Sequence, residues 1–269
     1  MNRLLAAPFL FTLSWLISCS PTDQSSSSTD QAEPLVIGME LAYPPFEMRG
    51  ADGKPDGISV RMAEDLAAHL KRPLKIEDIA WDGIIPSLQS GKIDLIISSM
   101  TRTDERAQAI DFSDPYVSNG LCMLVAKNSP YKNIDDLQES TAKVTVKLAT
   151  TGHLYAQAEL EGVELIVLDE ASMCALEVAQ GKADAFIYDQ ISIYRLQQQH
   201  PEKTRALLQP IRQEEWAIGI KKGNHSLQQQ VNDFLKIYRG EKKFEALAQR
   251  YMKKEKQAFE EAGVPFIFH

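Results

Sequence analysis

The chain has little of what redox, metal and disulfide-stapled proteins rely on. Only three of its 269 residues are cysteine, and Cys19 sits in a leader-like N-terminus. That leaves Cys122 and Cys174, which excludes a disulfide-dense scaffold. Each lies in an apolar run (LCMLV and MCAL), and both read as buried thiols. His69, His153, His200, His225 and His269 are scattered with no ligand spacing, so no metal site is expected. GxSxG, Walker and GxGxxG motifs are missing, and with them the usual hydrolase, nucleotide and dinucleotide signatures. Positive charge is also short: 29 basic residues against 37 acidic give a formal net charge of −8. Nucleic acid and anionic membrane surfaces are therefore poor candidates for the main partner.

An apolar run long enough to span a bilayer is likewise wanting. MNRLLAAPFLFTLSWLISC has one basic residue, Arg3, and a short apolar core, which reads as a signal peptide over residues 1–18. The Leu16-Ile17-Ser18-Cys19 sequence resembles a bacterial lipobox, which implies lipidation at Cys19. SPTDQSSSSTDQAEP is polar and aperiodic, so residues 19–34 read as a lipidated flexible tether.

From Leu35 onward the sequence alternates short apolar strands with amphipathic helices, which points to α/β architecture with mainly parallel sheets. Leu35–Gly38, Leu74–Ile76 and Ile93–Ile97 read as strands; Ile58–Leu70 and Ile84–Ser90 read as helices. Gly120–Lys127, Lys143–Leu148 and Leu165–Leu168 are further strands, and Trp216–Ile220 returns towards the first half. Helices are expected over Ser172–Gln180, at ISIYRLQQQ, and over Leu227–Leu235 and Lys243–Met252. GKIDLIISS at 91–99 is echoed by GKADAFIYD at 181–189, each after a helix. Either this is a common helix-to-strand turn, or the two are equivalent units of two lobes facing one cleft. The segment order favours two lobes, 35–120 with 217–269 and 121–216, joined by two hinge strands. The tail after Met252 has no assigned place.

The most telling stretch is SSMTRTDERAQAIDFSDPY, Ser98 to Tyr116. Thr103 suits an N-cap, and Asp104 and Glu105 suit a helix N-terminus. Arg106 does not, unless a negative group docks between it and the free backbone N–H groups. Ligands in open α/β sheets bind off the carboxyl ends of strands, and this junction is such a place.

YPPFE, WDGIIPSLQSGKIDLIISSMTRTDERAQAIDFSDPY, the TTG turn and GKADAFIYD together resemble the periplasmic amino-acid-binding proteins of ABC importers. That resemblance spans 35–253 and includes the glutamine, histidine and lysine/arginine/ornithine receptors. It implies the type II periplasmic-binding-protein fold and capture of an L-amino acid, arginine or lysine ahead of glutamine. The ligand would pass to a permease and ATPase complex from a lipid-anchored, monomeric receptor without cofactors. By the same resemblance Arg106 grips the α-carboxylate with Thr101, Thr150, Thr151 and Gly152. Asp189 takes the α-ammonium, helped by Ser99, and Ser98 faces the same cleft. Tyr43 and Trp81 sandwich the side chain, Glu40 meets its tip, and Lys147 sits beside that region.

Each of these residues has a plainer alternative. Arg106 would pair with Glu105, Asp111 or Asp114 on a solvated helix; Asp189 would cap the helix from Ile191. Tyr43 and Trp81 would be core aromatics, Glu40 a solvated loop acid, and Lys147 an exposed cation. Departures from the family pattern at Met100, Arg102 and Ala149 are expected to bear on the ligand. The competing function is a cyclohexadienyl or arogenate dehydratase on the same scaffold, with Glu40 or Asp189 as general acid. A third is a surface sensor or adhesin.

Overall fold

The computed structural model describes residues 32–138, 141–261, 263, 267 and 268. The signal segment, Cys19 and all but the last three residues of the tether lie outside these. In chain order, β1 (Leu35–Met39) leads into a small antiparallel excursion of β2 (Ala42–Tyr43), β3 (Glu47–Arg49) and β4 (Pro55–Asp56). Helix α1 (Ile58–His69) follows and buries Ile58, Val60, Met62, Ala63, Leu66 and Ala67 on one face, as its apolar spacing requires. Next come β5 (Leu74–Asp78), α2 (Trp81–Ser90), β6 (Leu95–Ile96), α3 (Asp104–Ala109) and β7 (Asp111–Phe112). The chain then crosses over on β8 (Val117–Ala126).

Beyond the crossing lie β9 (Lys143–Lys147), α4 (Thr151–Glu159), β10 (Glu164–Leu168), α5 (Ala171–Ala179), β11 (Ala185–Asp189) and α6 (Gln190–Gln199). The long strand β12 (Thr204–Trp216) carries the chain back to β13 (Gly219–Ile220), and α7 (His225–Gly240), α8 (Lys243–Tyr251) and α9 (Lys253–Glu261) close the fold.

Two five-stranded sheets result, in the orders β5-β1-β6-β13-β7 and β10-β9-β11-β8-β12. The βαβ units supply the parallel pairs, β1 with β5 and β6, and β9 with β10 and β11. The segments at the crossings supply antiparallel pairs: β13 with β6 and β7, and β8 with β11 and β12. Both sheets are therefore mixed, each parallel on one side and antiparallel on the other. Strand β12 is far longer than the short return strand expected at 216–220. RALLQPIRQEE carries no period-two alternation and contains Pro210. An edge strand tolerates both, with a register break between Leu207 and Arg212.

The crossings are pinned by aromatics. Trp216 is fully buried, with Tyr43 and Phe46 edge-on to it at 5.5 and 4.9 Å between ring centroids. Cys122 and Cys174 are free buried thiols. Burial drives both thiol pKa values upward, that of Cys174 to about 12. The tail touches both lobes: Phe268 lies against Phe46 and Phe244 of the first, and α9 packs on α6 of the second. Arg195 pairs with Glu255, and Tyr194 meets Phe259. Among the described residues no helix is long and apolar enough to cross a membrane.

Candidate functional site

The turn after β6 builds the cationic side of a cleft. Thr103 caps α3 by accepting a hydrogen bond from the Arg106 N–H, which fixes Arg106 in the first turn. Its guanidinium is buried and donates to two carbonyls, Thr101 O at 2.8 Å and Ala149 O at 3.2 Å, the latter from the opposite lobe. It also lies 5.2 Å from the Trp81 ring centroid. No carboxylate pairs with it among the described residues, so the solvated-helix alternative fails. Burial lowers its pKa, against the charges of Glu214 and Asp189. A buried cation left without a counter-ion is costly, and a docking anion removes that cost.

Asp189 is the matching group on the other lobe. It occupies the N-cap position of α6 but makes no side-chain cap. Its carboxylate instead accepts from Tyr43 Oη at 3.0 Å and Asn119 Nδ2 at 2.8 Å. Burial, with Glu214 nearby, pushes its pKa up to about 7 against the hydrogen bond from Tyr43 and the charges of Arg106 and Lys147. Arg106 and Asp189 thus line one cavity from opposite sheets, each buried and neither ion-paired. The free space left inside this cavity is small, about 20 Å³.

At the other end Lys147 of β9 forms an ion pair with Glu40, which joins the lobes again. Both are largely desolvated, and burial raises the Glu40 pKa against the attraction of Lys147. Trp81 lies between the two ends, its indole N–H donating to Ala149 O at 3.0 Å and Lys147 Nζ lying 6.0 Å from its ring. A wider opening of about 270 Å³ begins beyond Glu40, Trp81 and Lys147.

Glu40, Tyr43, Trp81, Ser98, Ser99, Thr101, Arg106, Thr150, Thr151 and Asp189 all border the one cavity. Lys147 borders the outer opening instead. Gly152 borders neither: a Cβ there would meet Ile187 O at 2.6 Å, so the glycine lets α4 approach β11. Of the three departures, Met100 is fully buried core and exposed Arg102 borders a separate surface groove. Only Ala149 touches the site. It holds φ at 56°, and Ser99 across the cleft holds φ at 49°; both are strained positions for residues with a Cβ.

Four further residues escaped the sequence reading. Glu214 of β12 accepts from Thr101 Oγ1 at 2.9 Å and Thr151 Oγ1 at 2.8 Å, holding both lobes to the returning strand. Asn119 braces Asp189, while Tyr188 and Glu47 line the cavity. Asn119 and Glu214 stand opposite each other on the paired strands β8 and β12, a register no local pattern reveals. Glu47 and Tyr188 had a signal, as the last residue of YPPFE and the next-to-last of GKADAFIYD.

Comparison with known proteins places this geometry in a class. The family of bacterial extracellular solute-binding proteins, family 3, matches residues 35–254. The chain belongs to that family, whose members bind amino acids for ABC transporters. The L-cystine-binding protein of Escherichia coli K12 is 31% identical over 219 residues, 81% of this chain and 82% of that one. An ancestral arginine-binding protein solved with arginine superposes with a TM-score of 0.77 at 30% identity, covering 82% and 99% of the two chains. An ancestral amino-acid-binding protein, a precursor of cyclohexadienyl dehydratase, gives 0.74 at 30% identity, covering 81% and 94%. This chain is an amino-acid-binding protein of the two-lobed type.

Proposed function

We propose that this receptor captures a polar or basic L-amino acid, arginine or lysine ahead of glutamine, and hands it to a membrane permease and ATPase. The carrying observation is the pair of unneutralised buried charges, Arg106 and Asp189, on opposite walls of one cavity. A zwitterion supplies the missing carboxylate and ammonium at once. Because the two charges come from different lobes, the ligand binds the closed state better than the open one, which is what ligand-driven closure needs. Thr101, Thr150, Thr151, Ser98 and Ser99 border the same cavity and offer it hydroxyls. The two acids a dehydratase would draw on are engaged, Glu40 by Lys147 and Asp189 by two donors. Anchoring through a lipid on Cys19 and action as a monomer belong to the same reading.

A thermal-shift screen of the mature chain over the L- and D-amino acids tests it. A ligand at ~100 times its Kd stabilises by ~2.7 kcal/mol, so the melting temperature should rise by about 5–10 °C for one class of L-amino acid and not for its D-form. A flat screen would sink the proposal.

A further inference from the structure

The closing helices do not all stay with the lobe that carries Arg106. Helices α7 and α8 pack on α1 of that lobe, but α9 leaves it for α6 of the other. The link between α8 and α9 has no slack. Met252 is fully buried, its N–H donates to Ala248 O at 2.8 Å, and its carbonyl accepts from the Lys256 N–H at 2.9 Å. On α6, Glu255 and Phe259 are buried; Glu255 pairs with Arg195, and Phe259 meets the Tyr194 ring edge-on at 5.9 Å. Ile267 and Phe268 then lie back at the crossing. The Ser118 N–H donates to Ile267 O at 2.8 Å, and Phe268 bridges Val117, whose other partner is Trp216. Phe268 stacks on Phe244 at 5.3 Å and meets Phe46 at 6.1 Å.

Both anchorages reach the support of Asp189. Helix α6 has that residue at its N-cap position, so a grip on Tyr194 and Arg195 is a grip on the anionic wall. Phe46 stands edge-on to Trp216 at 4.9 Å and lies 6.2 Å from Tyr43, which donates to Asp189. We propose that α9, with Ile267 and Phe268, is a strap that ties the Asp189 wall to the lobe of Arg106 and slows release of the amino acid. This rests on the reading that an amino acid is clasped between the lobes. Parting the walls carries α6 away from α8. With no slack at Met252, α9 must then peel from one of them and bring Phe259 or Met252 into water. The apolar contacts and the Arg195–Glu255 pair thus favour the closed arrangement, which raises the fraction of protein competent to hold ligand. None of these strap groups borders the ligand cavity, so the strap adds retention without selecting the ligand.

Stopped-flow fluorescence of the mature chain with L-arginine, L-lysine and L-glutamine tests the strap, Trp81 at the cleft supplying the signal. Arg195→Glu sets two acids against each other between α6 and α9. Each amino acid that binds should then leave about 3–10 times faster, with association within about twofold of the wild type. The exchanged pair, Arg195→Glu with Glu255→Arg, should recover most of the lost residence time, and Phe259→Ala should speed release as Arg195→Glu does. Unchanged release in folded Arg195→Glu and Phe259→Ala, or a loss confined to one ligand, would overturn the strap. Hydrogen exchange on the wild type needs no variant. Saturating amino acid should slow exchange in α6 and α9 as well as around the cleft. Protection at the cleft with none in α9 would overturn the strap too, and would leave the receptor reading standing. If the wild type binds none of the three amino acids, the receptor reading fails first and the strap with it.

Discussion

The two halves of the cleft are built from the same unit and end in opposite charges. In one, α2 turns at Gly91 and enters β6; in the other, α5 turns at Gly181 and enters β11. The glycines share the left-handed conformation, with φ at 79° and 71°. Asp94 and Asp184, three residues on, each receive a backbone N–H from the neighbouring strand, Val36 at 3.0 Å and Lys143 at 2.8 Å. Each returns its own N–H to that same residue's carbonyl at 2.8 Å. The units diverge only at their carboxyl ends. Strand β6 stops at Ile96, passes through the strained Ser99 and delivers a cation from the next helix. Strand β11 runs on to Asp189 and presents an anion at once. A strand end is thus a delivery point whose charge a few residues decide, while the helix–turn–strand unit beneath it stays fixed.

Removing the cation should break this pairing of opposites most completely. Arg106→Ala strands the ligand carboxylate in a closed cleft, and calorimetry should show a loss on the order of 2–5 kcal/mol for every amino acid that binds. The folded state should keep its melting temperature or gain slightly, since an unpaired buried cation disappears. Unchanged affinity would mean that the two walls do not share a zwitterion.

The anionic wall should respond less strongly, and with a pH signature the cationic wall lacks. Asp189→Asn keeps the size and the contact with Tyr43 but loses the charge; a loss of about 1.5–3 kcal/mol in ligand binding is expected. In the empty protein burial raises the Asp189 pKa from 3.8 to about 7. Between those values the folded state holds a proton that the unfolded state has released. Stability of the empty protein should therefore be greatest near pH 4 and fall as pH rises towards 7, by up to about 1.4 kcal/mol per pH unit for each such group. Glu47 adds the same sign between 4.5 and about 8. Ligand binding runs the other way, because the ammonium needs the ionised carboxylate, so affinity should climb from pH 6 to 8. Denaturant melts and calorimetry across that range should show both trends, each reduced in Asp189→Asn. A pH-independent wild type would leave the carboxylate without its assigned burden.

Much of this was legible before any coordinates. The misfit of a cation in the first turn of a helix marked Arg106, and the repeat of GKxD marked the strand that ends in Asp189. Both are read from short stretches of sequence, without knowing which strands pair. What stayed hidden depends on strands distant in sequence. Glu214 reads as one more charge in a polar edge strand until β12 lies against β8 and its carboxylate reaches Thr101 and Thr151. Glu40 and Lys147 are separated by 107 residues, so their ion pair is purely a tertiary fact. Arg102 and Met100 mislead for the opposite reason: they adjoin Thr101 in sequence, yet extended backbone sends neighbouring side chains to different faces.

The smallest effect gives the sharpest test of equivalence between the two units. Gly91→Ala and Gly181→Ala each force an L-residue into the left-handed region, at about 1–2 kcal/mol. Space does not distinguish them: a Cβ at 91 meets nothing nearer than the flexible Lys221 Nζ at 3.5 Å, and one at 181 meets nothing within 4 Å. Conformation is the whole penalty at both sites, so the two variants should lose stability equally, by about 2–8 °C in melting temperature. Neither turn borders the ligand cavity, so the affinity for the amino acid should stay as in the wild type. Unequal melting shifts would show that one turn bears tertiary strain the other does not, and the two units would then be alike in sequence but not in mechanics.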